Sequence, residues 1–403
     1  MSALPAWARW REGPPYTVGA EEEVMLLDPG SWALAQQAGR VMEGLSPALR
    51  PHAGEETHRS ALELRTEPHA RVPELAAQLR SLRELLRDDL AALGLVAGAS
   101  GTHPTTTWRD TEVSLAPRYQ LLHETLKGLA RREPTFGLHL HVAVPDAEDA
   151  VRLLNRLRTH VPLLLALSAN SPFWQGRDSG LRSARTPLFQ GFPRVGLPRA
   201  FRDYRDWVGA VDLLLRCDAF PEPSFLWWDV RLQPRFGTVE LRVLDAQTTV
   251  EDTAALTAFV QSLERAELSG GVASRPHDDV SEVLDENRFL AARDGMDAGL
   301  LDADAERAVP ARRLLAQLMD ACRDHARDLG CERELEGVRE LAARSGADRQ
   351  RNRARRAGIG RMIEATSTDF APVRTAGRGR RGRFGTAGPM TGARRSAILN
   401  PTA

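Results

Sequence analysis

The sequence predicts an α+β protein whose sheet carries helices on one face, and three observations lead there. β-Branched and apolar stretches closed by turn residues concentrate in the first 250 of the 403 residues. Stretches with helical leucine spacing lie between them and then dominate the remainder. A hydrophobic content of 42% is ordinary for a chain with a large buried core.

Taken in order, Thr17 to Leu27 (TVGAEEEVMLL) places branched and apolar residues around an acidic centre, between Pro14-Pro15 and Asp28-Pro29-Gly30. It reads as a strand ending in a turn, and the two-residue period puts Glu21 and Glu23 on one face. Glu56 to Thr66 reads as a second strand. The odd separation of Glu56 and Glu63 sends them to opposite faces unless a bulge or strand start intervenes. Leu75, Leu79, Leu82, Leu86, Leu90 and Leu93 follow helical spacing, with Pro73 in the first turn and Gly94 as the stop. Leu95 to Ser100 is a short strand leading into the loop Gly101-Thr-His-Pro104. Tyr119 to Leu129 is helical, and Thr135 to Val144 is a strand. Glu148 to Ala169 is an apolar helix, expected to break or kink at Pro162.

Asn170 to Arg199 is rich in Gly, Pro and Arg and is expected to be an active-site loop. Ser224 to Arg231 and Thr238 to Asp245 form a hairpin around Gln233 to Gly237. Glu251 to Leu268 is an amphipathic helix, and more helices follow between Val280 and Thr368. From Val373 onward there are seven arginines and no acid. Residues 1–372 are therefore read as a single domain and 373–403 as a disordered tail.

Composition removes several function classes. With 54 basic and 54 acidic residues, no global field recruits nucleic acid or an anionic membrane. No apolar run reaches the ~18 residues of a membrane span, and the expected location is cytoplasmic. The three cysteines lack metal-site spacing. Lys127 is the sole lysine, so a Walker A loop is absent and Schiff-base chemistry is disfavoured.

The chemistry-bearing residues fall on the strand-like segments. Glu21 and Glu23 need a counter-ion if buried. Glu56 and Glu63 add two carboxylates, and His139 with His141 share a face of their strand. Glu240 and Arg242 share a face of a later strand whose alternate residues Val239, Leu241 and Val243 are apolar. Carboxylates and imidazole suit a divalent cation, and an arginine fork suits phosphate. The His-x-His pair is also compatible with a metal-dependent amide or phosphate hydrolase. A noncatalytic nucleotide or amino acid binding protein is a third alternative.

TVGAEEEVMLLDP, the segment 56–66, GTHP, GLHLHV, LSANSPFWQGRDSGLRSARTPLF, WWDVRLQPRFGTVELRVLDAQ and ENRFLAARDG together resemble the YbdK-type carboxylate-amine ligases, also called the glutamate–cysteine ligase type 2 family. The resemblance runs from about Thr17 to Ser367. It implies a glutamine synthetase/guanido kinase-like fold, with a curved antiparallel sheet lining an active-site cleft. It also implies ATP-dependent amide formation through an acyl phosphate, with glutamate and cysteine as substrates and a homodimeric assembly. By the same resemblance, Mg²⁺ or Mn²⁺ is held by Glu21, Glu23, Glu56, Glu63, His139 and Glu240. Arg242, Glu63 and Arg185 are implied as catalytic, and Arg242, Asn287 and Arg288 as nucleotide-binding. Arg177, Arg182 and Arg185 are expected to close over the intermediate, and helix caps and ion pairs to account for Arg349 and Arg351.

Overall fold

The computed structural model describes residues 4–132, 134–272 and 280–372. They belong to one compact unit ending at Pro372, and the segment read as a disordered tail lies outside the described residues.

The strands are β1 (Val18–Leu27), β2 (Ala53–Glu55), β3 (Ala61–Arg65), β4 (Val96–Gly98), β5 (Gly137–Ala143), β6 (Phe173–Trp174), β7 (Arg177–Asp178), β8 (Val195–Gly196), β9 (Trp227–Trp228), β10 (Val230–Gln233), β11 (Thr238–Asp245), β12 (Gly299–Asp302) and β13 (Arg307–Pro310). The helices are α1 (Ala38–Gly44), α2 (Val72–Ala92), α3 (Pro117–Leu126), α4 (Ala147–Ser168), α5 (Arg185–Phe189), α6 (Tyr204–Arg216), α7 (Val250–Ser269), α8 (Ser281–Asp294), α9 (Ala311–Leu329), α10 (Glu332–Ala343), α11 (Gly346–Ala357) and α12 (Ile359–Phe370).

The central sheet has the order β10-β11-β5-β1-β3-β2, with β4 also paired to β1, and every pairing is antiparallel. Helices α2, α4 and α7 pack against it. Alternation along β5 explains how one strand serves two environments: Leu138, Leu140 and Val142 enter the apolar core, while His139 and His141 take the other face. The α4 N-terminus is fixed by Asp146, whose side chain accepts the N–H groups of Glu148 and Asp149.

Three sequence expectations are corrected. The segment 56–66 is not one strand: β2 ends at Glu55, the chain turns through 56–60, and β3 starts at Ala61. The turn is held by the Ser114 N–H on the Thr57 carbonyl and by a bridge between His58 and Val113. With Glu56 outside the strand, the odd spacing to Glu63 no longer separates the two acids. Helix α4 is not broken at Pro162, because burial of nearly every side chain in its second half outweighs one missing intrahelical bond. Finally, 170–199, expected to be an active-site loop, is not a single loop but contains the β6–β7 hairpin, α5 and β8.

Candidate active site

Strand register assembles an acidic face on the side of the sheet away from α2, α4 and α7. Across β1 and β5, Glu21 opposes His139 and Gly19 opposes His141. Across β1 and β3, Glu23 opposes Glu63. Strand β11 brings Glu240 opposite His141, and β10 brings Arg231 opposite Glu240. A cavity of about 770 Å³ opens over this face, lined by Glu21, Glu23, Glu56, Glu63, His139, Arg185 and Arg242. Part of its wall is apolar, with Leu122 and Leu126 of α3 and the aromatic rings of Phe189, Phe192, Phe225, Trp227 and Phe236, and part is charged, with Arg65, Arg118, Arg231 and Arg235.

His139 sits between two acids, with Nδ1 3.3 Å from Glu21 Oε2 and Nε2 3.5 Å from Glu23 Oε1. Glu23 Oε2 accepts the Gly137 N–H at 2.6 Å. His141 Nε2 stands 3.5 Å from Glu21 Oε1 and 4.0 Å from Glu240 Oε1. Burial, reinforced by the charge of Glu56, pushes the Glu23 carboxyl up to about 7. Burial and the charges of Glu21 and Glu56 hold Glu63 well above the ordinary carboxylate range, and burial raises Glu56. Glu21 behaves in the opposite way: burial disfavours its charge, but His141 and His139 outweigh burial and hold it well below that range. Burial, helped by the Arg242 charge, lowers His139 to about 4, so this imidazole is neutral at pH 7, with Arg242 Nη1 3.4 Å from its Nδ1.

The residues expected from sequence separate into two sets. Glu21, Glu23, Glu56, Glu63, His139, Arg185 and Arg242 line one cavity. Glu240 belongs to the same face but is fully buried and surrounded by donors: Arg231 Nε and Nη2 reach its carboxylate at 2.9 and 3.1 Å, Gln233 Nε2 at 2.7 Å, and Arg242 also binds it. A cation reaching Glu240 competes with two guanidiniums. Asn287 and Arg288 are not among the cavity-lining residues. Asn287 bonds the Leu301 backbone in both directions, and Arg288 pairs with buried Asp229. Arg182 joins Asp297 and Asp348, and Arg177 lies in the exposed β7 strand, so Arg185 alone of the three loop arginines lines the cavity. Arg349 and Arg351 pair with Asp252 and Asp178.

Sequence reasoning missed Arg231, a buried partner of Glu240. Its placement opposite Glu240 in a hairpin was the available signal. Gly137 was also passed over. A Cβ there would meet Arg185 Nη2 at 2.4 Å and His139 Nε2 at 3.0 Å, so the missing side chain makes room for both groups.

The donor set fits a hard divalent cation. Glu21, Glu63 and His139 offer ligand atoms within 4.8 Å of one another, and so do Glu21, His141 and Glu240. Each group has two carboxylates and one imidazole, an oxygen-rich set suited to Mg²⁺ or Mn²⁺ more than to zinc. Beside these acids, the Nε atoms of Arg185 and Arg242 are buried with no hydrogen-bond partner among the described residues. Unmatched donors next to such an acidic face are what a bound phosphate requires.

The family described as glutamate-cysteine ligase family 2 matches residues 17–369. A Rubrobacter xylanophilus protein named "Putative glutamate--cysteine ligase 2-1" is 41% identical over 364 residues, covering 88% of this chain and 96% of its own. A "Putative glutamate--cysteine ligase 2" of Sorangium cellulosum is 35% identical, covering 87% of this chain and 96% of its own. Among solved structures, the Francisella tularensis glutamate–cysteine ligase in complex with AMP superposes with a TM-score of 0.64 at 13% identity, covering 90% of both chains. A bifunctional glutathione synthetase from Pasteurella multocida gives 0.66 at 13% identity, over 89% of this chain and 52% of that one. The structural likenesses establish the fold, an α+β architecture shared with these enzymes. Among the described residues, no helix is long and apolar enough to cross a membrane.

Proposed function

The chain belongs to glutamate-cysteine ligase family 2, and from that premise we propose that it is an ATP-dependent carboxylate–amine ligase, with glutamate and cysteine as the first substrate pair to test. One observation carries the reading: four carboxylates and a neutral imidazole share a cavity face with two arginines whose Nε groups have no hydrogen-bond partner among the described residues.

In the proposed reaction the γ-phosphoryl group of ATP leaves its bridging oxygen and bonds to the substrate carboxylate. The amine nitrogen then attacks the acyl carbon, the C–O bond to phosphate breaks, and phosphate and a proton are released. Positioning and charge stabilisation are the main demands on the protein in such a transfer. Arg242 and Arg185 are assigned to the oxygens of the transferring phosphoryl group. Glu21, Glu23, Glu56, Glu63 and His139 are the assigned cation ligands. When bound, Mg²⁺ or Mn²⁺ neutralises the ATP phosphates and withdraws charge from the transferring group. Glu240 is assigned a different task from the one the resemblance implies, that of orienting Arg242, which it contacts directly. The apolar and aromatic wall is assigned to excluding water, which otherwise hydrolyses an acyl phosphate.

The test is Mg²⁺-dependent phosphate release from ATP by purified protein, first with glutamate plus cysteine and then with other carboxylate and amine pairs. Release that needs both substrates, and is lost in Arg242→Met, supports the ligase. A protein that binds no nucleotide under these conditions refutes it.

A further inference from the structure

On the reverse face of β1, between the two forward-facing acids Glu21 and Glu23, Glu22 is fully buried and paired with Arg83 of α2. All five N–H donors of that guanidinium are used. Nε reaches Glu22 Oε2 at 3.0 Å and Nη2 reaches Glu22 Oε1 at 2.8 Å. Nη2 also reaches the Gln247 carbonyl at 3.0 Å, and Nη1 reaches the carbonyls of Thr248 at 2.9 Å and Phe370 at 3.2 Å. Thr253 of α7 donates to Glu22 Oε1 at 2.7 Å. The Phe370 ring lies 4.4 Å from the guanidinium carbon.

We propose that Arg83 is a positioning residue, which through Glu22 and the carbonyls of Gln247 and Thr248 sets β1 relative to β11 and so the spacing of the cation-binding acids and Arg242. The inference rests on the cation reading of Glu21 and Glu23 given above. Three features carry it. Glu22 is the residue between those acids, so a rotation of β1 about Glu22 moves both. Gln247 and Thr248 lie within three residues of the end of β11, the strand that presents Arg242. And a buried ion pair is a poor source of net stability compared with apolar packing, whereas its fork geometry holds a fixed arrangement. Lysine keeps the charge but offers three donors from one nitrogen, too few to span Glu22 and three carbonyls.

The test is Mn²⁺ binding to the full-length protein without nucleotide, followed by electron paramagnetic resonance, with melting temperature measured in parallel. Arg83→Lys is expected to weaken Mn²⁺ binding about tenfold, as loss of supporting groups around metal ligands does. Thr253→Val, which removes one bond to Glu22, should weaken it about threefold. Arg156→Met, which breaks a separate pair with Glu267, should lower the melting temperature and leave Mn²⁺ affinity unchanged. A folded Arg83→Lys protein that binds Mn²⁺ as tightly as wild type overturns the proposal. Should Arg83→Lys not fold, an unchanged affinity in Thr253→Val overturns it equally. A wild-type protein that takes up no Mn²⁺ sinks the cation reading itself, a result separate from any difference among the variants.

Discussion

Glu23 and Glu63 stand directly opposite each other across the β1–β3 ladder. Like charges in that position destabilise a sheet, and both carboxyls titrate above the ordinary range, chiefly through burial, with Glu56 adding to the shift of Glu23 and Glu21 and Glu56 to that of Glu63. A divalent cation bound there, as proposed, would relieve the conflict by supplying positive charge.

The first prediction concerns stability and the cation. An acid whose proton is held more tightly in the folded state stabilises the fold fully below its unfolded pKa and loses that contribution as pH rises through the folded value. For Glu23 this window runs from the usual 4.5 to about 7 and is worth on the order of 3 kcal/mol. Cation-free protein should therefore melt at a lower temperature at pH 7.5 than at pH 5. Saturating Mg²⁺ should restore about 2–3 kcal/mol at pH 7.5. In Glu63→Gln the cation-free protein should melt higher than wild type at pH 7.5, and the Mg²⁺ gain should largely vanish. Equal Mg²⁺ responses in the two proteins would rule Glu63 out as a ligand.

Gly137→Ala places a methyl group where Arg185 and His139 already lie. The Arg185 terminus is flexible enough to swing aside, so the fold should persist while phosphate release drops at least ~100-fold, the scale of cost for a small misplacement of reacting groups. Circular dichroism and the phosphate assay separate the two effects. A fully active, folded alanine variant would show that Arg185 need not occupy its place over Gly137.

Arg231→Met strips one of two guanidiniums from the fully buried Glu240 and frees the carbonyls of Ser224 and Leu226 that it also holds. Breaking one partner of a buried pair costs about 3–5 kcal/mol. Urea denaturation should register that loss, and an effect below ~1 kcal/mol would mean that Arg242 and Gln233 alone satisfy Glu240.

Away from the cavity, Glu264 of α7 is fully buried, and neither of its carboxylate oxygens has a hydrogen-bond partner among the described residues. Burial pushes its carboxyl well above the ordinary range, so the folded state favours the neutral acid. Its contribution is complete below about 4.5 and is lost as pH rises. Glu264→Gln, with the same shape and no charge, should match wild type near pH 5 and melt higher at pH 8. Parallel pH profiles for the two proteins would contradict this.

The strands were readable where their environments differ from face to face. In β5, apolar residues alternate with His139 and His141, and in β1 the two-residue period put Glu21 and Glu23 on one face, although it gave no warning that Glu22 between them is a buried charge. Glu56 was misread because periodicity says nothing about where a strand ends, and its turn is held by Ser114 and Val113, far away in sequence. Asn287 and Arg288 carried only family resemblance, and their partners Leu301 and Asp229 could not be inferred from local spacing.

What the sequence by itself determined is therefore the main strands β1, β5 and β11, the long helices α2, α4 and α7, the shared faces within those strands, and the family, because side-chain period and contiguous motifs are local properties. Only the tertiary structure decided which faces meet. Strand register set Glu23 against Glu63 and Glu240 between Arg231 and His141, and long-range packing brought Arg83 beneath the acids of β1. Register and packing follow from the summed burial and pairing of distant segments, and no window of neighbouring residues contains that sum.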